Sequence, residues 1–254
     1  MYLKLNNINL YYEKYGTRKQ TIIILPGWGD TRKTFTYLIN DLKDNFTIYI
    51  IDYPGFGNSK LDTNLTIFDY TDFIYHFIKT LNIYNPILIG HSFGGRIISI
   101  LTTTYNIKIK KLLLIDVAGL KEYNIKVFIK KIIYKLIKKV IKLLPKNKQP
   151  KYYKLLFNKF ASNDYKVLPN NLYKTFQNIT SFNLKKYYQN ITLETLILWG
   201  EFDYITPYKM GIKLNKLIPN STIIKIKNTR HFPYLEKKYL VSKIIFEYLK
   251  KDII

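Results

Sequence analysis

The sequence predicts an α/β fold, a mostly parallel twisted sheet flanked by helices, with an inserted helical segment. Three observations carry this reading. From residue 21 onward, short apolar runs rich in β-branched residues alternate with stretches whose apolar residues recur at helical spacing. Loops containing Gly, Asp or Ser follow those runs, where ligands collect beyond the carboxyl ends of a parallel sheet. Between about residue 120 and residue 190 the alternation stops and helical periodicity alone remains.

The 254 residues, 47% of them hydrophobic, suit one such domain with an insertion. The expected division is a first core part over 1–119, a helical cap over 120–190 and a second core part over 191–254. The chain has no cysteine, which excludes disulfides, thiol nucleophiles and cysteine-ligated metals. Residues 1–15 alternate polar and apolar side chains without the apolar core of a signal peptide. No apolar run approaches the roughly 18 residues of a membrane span. A reducing cytoplasm is the expected location. The formal charge is +24, but 37 of the 41 basic residues are lysine, in a chain crowded with Asn, Ile and Tyr. These residue types share AT-rich codons, so the charge reads as a solvated surface, and no specific nucleic-acid partner is expected.

In chain order, residues 2–15 read as a strand pair turning at Asn6-Asn7. Thr21 to Leu25 is a buried strand running into Pro26-Gly27-Trp28-Gly29-Asp30. That loop reads either as a turn into a helix around Phe35 to Leu42 or as a backbone N–H donor, from Trp28, facing a ligand. Thr47 to Ile51 is the next strand, and Asp52-Tyr53-Pro54-Gly55-Phe56-Gly57-Asn58-Ser59 is a tightly folded loop after it. Ile67 to Leu81 is a helix carrying His76, read as a packing or surface residue. Pro86 to Gly95 reads as strand, sharp corner, helix, with Ser92 at the corner and Gly90 and Gly94 two residues to either side. The corner lifts Ser92 Oγ above the sheet and points the Phe93 N–H, at a helix N-terminus, into the same space. Ile109 to Ile115 is a further strand, ending at Asp116.

The insertion opens with an amphipathic helix over residues 125–144, apolar on one face and lysine-rich on the other, closed by Pro145. Two roles are open to it: a cap over an apolar cleft, the favoured reading, or peripheral contact with an anionic membrane. The sheet resumes at Leu193 to Leu198 and breaks at Trp199-Gly200-Glu201-Phe202-Asp203, after which Thr206-Pro207 caps a helix. Thr222 to Ile226 is the last strand, leading to Asn228-Thr229-Arg230-His231 and a terminal helix from about Lys237.

A serine hydroxyl needs a base within hydrogen-bond reach and a partner that fixes the base's tautomer. Of the three histidines, His76 lies mid-helix and His91 adjoins Ser92, where consecutive side chains diverge. His231 follows the last strand on the ligand edge and is the candidate base. Asp203 and Asp116 both follow strands on that edge and are the candidate acids, Asp203 first. Arg96, just inside the nucleophile helix, reads as structural, with pairing to an acidic substrate group as the other role.

The motifs Gly90-His91-Ser92-Phe93-Gly94-Gly95, Pro26-Gly27-Trp28-Gly29, Asp52 to Ser59, Trp199 to Asp203 and His231 to Glu236, in that functional order of serine, acid and histidine, resemble the α/β-hydrolase family over essentially the whole chain. The chain departs from the family where it has Pro26 in place of a frequent His and Arg230 in place of a frequent Gly. The resemblance implies an α/β-hydrolase fold with a helical cap. It implies a serine hydrolase with Ser92, His231 and Asp203 as catalytic residues, Trp28 and Phe93 as oxyanion donors, and no cofactor or metal. The implied partner is a small-molecule acyl substrate, a carboxylic ester first. Carbon–carbon bond hydrolases and thioesterases share the frame, and a non-catalytic small-molecule-binding protein would be a different class on it.

Overall fold

The computed structural model describes residues 1–5, 8–61, 63–121, 125–160 and 172–253. The turn expected at Asn6-Asn7 lies outside them. Eight strands form one sheet: β1 (Tyr2–Leu5), β2 (Ile8–Tyr15), β3 (Thr21–Leu25), β4 (Thr47–Asp52), β5 (Ile87–His91), β6 (Leu112–Ile115), β7 (Thr195–Gly200) and β8 (Ser221–Ile226). Their spatial order is β1-β2-β4-β3-β5-β6-β7-β8. β2 pairs antiparallel with β1 and with β4, and every pairing from β4 to β8 is parallel.

The alternation of side chains along these strands decides the layers. Ile22 and Ile24, Ile48 and Ile50, Ile87 and Ile89, Leu113 and Ile115, and Leu196 and Leu198 form one buried sheet face, packed with residues of α1 (Thr36–Leu42) and of a C-terminal helix. On the other face α2 (Ile67–Thr80) packs against α3 (Phe93–Thr104), which in turn packs on β3 and β5. Both faces are covered, which is why these strands read as unbroken apolar runs. At the start of α2, Thr66 and Asp69 form a reciprocal capping box.

Two compact units result, one made of residues 1–120 and 178–254, the other of residues 121–177. The second holds α4 (Ile125–Leu143) and α5 (Gln149–Phe160), which pack together with Tyr134 against Phe160. Residues 178–190, expected in the insertion, group with the sheet unit. The cause is local bonding. The Leu184 N–H donates to the Gly119 carbonyl, Tyr188 Oη donates to the Ala118 carbonyl, and Arg96 donates to the carbonyls of Ile179 and Phe182. Arg96 is therefore a structural tie. The helices of this stretch are α6 (Tyr173–Ser181) and α7 (Lys185–Gln189).

Several boundaries differ from the sequence reading. β6 begins at Leu112, three residues later than expected. β7 continues through Trp199 to Gly200, because the buried Trp199 packs in the sheet and donates its indole N–H to the Thr206 carbonyl. The terminal helix is two pieces, α9 (Pro233–Glu236) and α10 (Lys238–Leu249), separated at Lys237, whose φ −131° and ψ 59° are not helical; α8 (Tyr208–Leu217) precedes them.

His91 ends β5 fully inside the structure, its Nε2–H donating to the His231 carbonyl at 2.8 Å. Burial, and then the charge of His231, push its pKa down to about 3. An unfolded chain takes up a proton on this imidazole below about pH 6.5, and the folded chain declines it until about pH 3. Stability therefore falls as pH drops through that window. Urea unfolding of the wild type should weaken by roughly 2 kcal/mol between pH 7 and pH 5. His91→Gln should lose that part of the slope, whereas an unchanged slope in the variant would assign the pH dependence elsewhere.

Candidate active site

Register brings the site residues to one sheet edge. Leu25 pairs with Gly90, His91 with Ile115, Ile115 with Leu198, and Gly200 with Ile226. The loops leaving β3, β5, β6, β7 and β8 therefore start level with one another. They carry Trp28, Ser92, Asp116, Asp203 and His231 in that order. β3 lies between β4 and β5, so the chain crosses from one side of β3 to the other, the place where a parallel sheet opens a crevice.

Ser92 sits at the expected corner with φ 46° and ψ −103°, a backbone state that side chains rarely occupy. Its N–H donates to the Ile115 carbonyl and its carbonyl accepts from the Ala118 N–H. These bonds to β6 and the loop after it hold the strained residue. Gly94 is required two residues further on: a Cβ there would overlap the Leu25 carbonyl oxygen of the neighbouring strand. That close approach brings α3 against the end of β3. The Trp28 and Phe93 rings then meet edge to face with centroids 5.3 Å apart, so the two residues expected to supply oxyanion donors are neighbours.

The acid and base loops are laced together by backbone. The Phe202 N–H donates to the Thr229 carbonyl, and Gly200 has no Cβ where one would overlap the Arg230 carbonyl oxygen. Across this junction His231 Nδ1 meets Asp203 Oδ2 at 2.7 Å, with both side chains nearly buried. Asp203 Oδ1 accepts the N–H groups of Ile205 and Thr206 at 2.7 and 2.9 Å, and Oδ2 also accepts the Thr206 hydroxyl at 2.6 Å. Burial raises the Asp203 carboxyl, but His231, by hydrogen bond and charge, with Thr206 and Asp116, outweighs it and leaves the pKa lowered.

Asp116 lies beside this pair. Its Oδ1 accepts the Gly200 N–H at 2.9 Å. Burial first, and then the hydrogen bond and charge of Asp203, raise its pKa well above the carboxylate range. Asp203, not Asp116, is thus the hydrogen-bonded partner of His231. One ligand atom from each of Asp116, Asp203 and His231 lies within 4.8 Å of the others, a grouping of the size that holds a metal ion elsewhere. Here both Asp203 oxygens are already engaged by hydrogen bonds, Oδ1 from the Ile205 and Thr206 N–H groups and Oδ2 from the Thr206 hydroxyl and His231.

Several participants escaped the sequence reading. Thr206 was expected to cap a helix, yet Pro207 occupies the N-cap of α8, and the Thr206 hydroxyl turns to Asp203. A Thr three residues after a candidate acid was the available signal. Tyr234 Oη donates to Asp30 Oδ2 at 3.2 Å and lies 3.4 Å from His91 Nδ1. It joins the loop after β3 to the loop after β8. His76 is exposed on α2, as expected, and takes no part. The Asp52 loop folds on itself, with Asp52 Oδ2 accepting the Asn58 N–H and pairing with Arg32.

Comparison with known proteins agrees with this architecture. The family model described as the alpha/beta hydrolase fold matches residues 20–238. An uncharacterized hydrolase of Bacillus subtilis (strain 168) is 24% identical over 268 aligned positions, 96% of each chain. A pimeloyl-[acyl-carrier protein] methyl ester esterase of Wigglesworthia glossinidia brevipalpis is 26% identical, over 95% of this chain and 98% of the relative. Among solved structures, the enol-lactonase from Burkholderia xenovorans LB400 superposes with a TM-score of 0.75 at 18% identity, over 98% of this chain and all of that one. With the strand-corner-helix at Ser92 and the acid and base loops on one sheet edge, this match across most of the chain places the protein in the alpha/beta-hydrolase fold family.

Proposed function

We propose that the protein is a serine hydrolase that cleaves a carboxylic ester through a Ser92-His231-Asp203 triad. The observation that carries this is the 2.7 Å hydrogen bond between His231 Nδ1 and Asp203 Oδ2 on the sheet edge that also holds the strained Ser92 corner. A carboxylate on Nδ1 fixes the tautomer that leaves Nε2 free to accept a proton. In the proposed cycle Ser92 Oγ attacks the ester carbonyl while His231 takes its proton. The tetrahedral intermediate collapses as His231 returns that proton to the departing alcohol, leaving an acyl-enzyme. Water, deprotonated by His231, then releases the carboxylic acid and restores the serine. The Phe93 and Trp28 N–H groups are assigned to the oxyanion, each such donor being worth about 3 kcal/mol of barrier.

Asp116 has a separate role in this scheme. Burial and the Asp203 charge raise its carboxyl pKa, which disfavours a second negative charge beside Asp203. The relative named for a methyl ester makes methyl esters the first members of a substrate panel.

A fluorophosphonate probe followed by mass spectrometry should label Ser92, with labelling much reduced in His231→Ala. Ser92→Ala should lower ester turnover by at least about 10³-fold while keeping the same thermal transition. Turnover within tenfold of wild type in that variant would remove Ser92 from the mechanism. Asp203→Asn should cost about 10²- to 10⁴-fold in kcat, against less than about tenfold for Asp116→Asn. The opposite ranking would exchange the two aspartates.

A further inference from the structure

The unit of residues 121–177 is charged out of proportion to its size. It carries fifteen lysines, no arginine and only Glu122 and Asp164 as acids, a net +13 of the chain's +24. Its longest helix, α4, has seven lysines and no acid. On α4 the residues Ile129, Ile133, Leu136, Val140 and Leu143 follow one another at alternating spacings of four and three, and all are exposed. Exposure reaches 55% at Leu136, 61% at Val140 and 85% at Leu143. This row lies along one face for about 21 Å at the rise of an α-helix. It is separate from the face of Tyr134, Ile137 and Ile141, on which Tyr134 meets Phe160 of α5. Exposed Lys135, Lys139 and Lys142 run beside the row.

We propose that this face of α4 lies on an anionic lipid surface. A continuous apolar row on an otherwise polar helix needs a partner that removes it from water. Lysines beside an apolar row match a bilayer interface, where the row enters the acyl boundary and the ammonium groups stay among phosphates. A second copy of the chain fits poorly, because pairing two such helices sets lysine against lysine with no acid on either. A nucleic acid leaves the apolar row uncovered, and the unit has no arginine for bidentate phosphate contacts. The helix lies on the membrane and does not cross it: among the described residues none is long and apolar enough to span one. Each lysine brought near an anionic surface favours partitioning by about fivefold, and salt screens that gain. The proposal concerns binding and stands independently of the triad.

The test is co-sedimentation of the full chain with vesicles of phosphatidylcholine alone or with about one third phosphatidylglycerol, with hydrolysis of a soluble methyl ester followed in parallel. Binding is expected only to the anionic vesicles, falling tenfold or more when salt is raised from 0.05 to 0.5 M. Lys135→Gln/Lys139→Gln/Lys142→Gln should weaken binding by about 100-fold, at fivefold per lysine. Leu136→Gln/Val140→Gln should weaken it by tenfold or more. Because the chain has no cysteine, Leu136→Cys carrying an environment-sensitive dye reports insertion directly, by a blue shift on anionic vesicles, without altering the rest of the row. No binding to anionic vesicles at low salt would overturn the proposal. So would binding without a blue shift, affinity for poly-L-glutamate equal to that for vesicles, or a dimer in sedimentation velocity that the glutamine pair dissociates.

Discussion

The structure depends on one strained residue. Ser92 holds φ 46° and ψ −103° between β5 and α3, at a cost on the order of 1–3 kcal/mol. What keeps it there is the sheet: Ser92 is hydrogen-bonded through its N–H to Ile115 and through its carbonyl to Ala118. The closeness of α3 to β3 at Gly94 adds to this hold. The burial of both sheet faces supplies the stability that the corner consumes, since each fully buried Ile or Leu contributes roughly 1.5–3 kcal/mol. A corner of this kind persists only in a rigid frame.

The same frame separates two carboxylates by environment. Asp203 collects two backbone N–H donors, the Thr206 hydroxyl and His231, and stays charged despite burial. Asp116, with one backbone donor and Asp203 next to it, has its carboxyl pKa raised by burial and by that neighbour. Two charged carboxylates this close would repel, so the number of donors given to each decides which one ionises. His91 belongs to the same arrangement. Its neutral ring holds the His231 carbonyl without adding charge beside the His231 imidazole, and Tyr234 links it onward to Asp30.

Much of this was legible in the sequence because the signals were local. A strand of Ile and Leu buried on both faces, followed by Gly90 to Gly95, has few alternatives to a strand-corner-helix. The ranking of Asp203 over Asp116 rested on chain order, and the structure pairs Asp203 with His231 for a reason the order does not contain: the turn at Ile205 and Thr206 aims N–H groups at it. Thr206, Tyr234 and Asp30 were illegible because their partners are far apart in the chain, and a hydroxyl three residues after an acid looks the same whether it caps a helix or bonds the acid. The end of the insertion was misplaced by the same limit, since Leu184 and Tyr188 look like helix residues until their bonds to Gly119 and Ala118 are seen.

The charge is where the sequence reading and the structure part most instructively. Codon bias toward lysine acts along the whole chain, and it accounts for a diffuse excess. It does not account for residues 121–177 holding net +13 while the larger unit, nearly two hundred residues, holds +11. That difference comes mainly from added lysines, fifteen of the chain's 41 basic residues, and to a smaller extent from acids, of which two of seventeen fall in this unit. Codon bias acts on every part of the chain alike, so a concentration of lysine in one unit needs a cause that acts on this unit alone. Contact with an anionic surface is such a cause, because an acid beside the apolar row of α4 would be repelled where a lysine is drawn in.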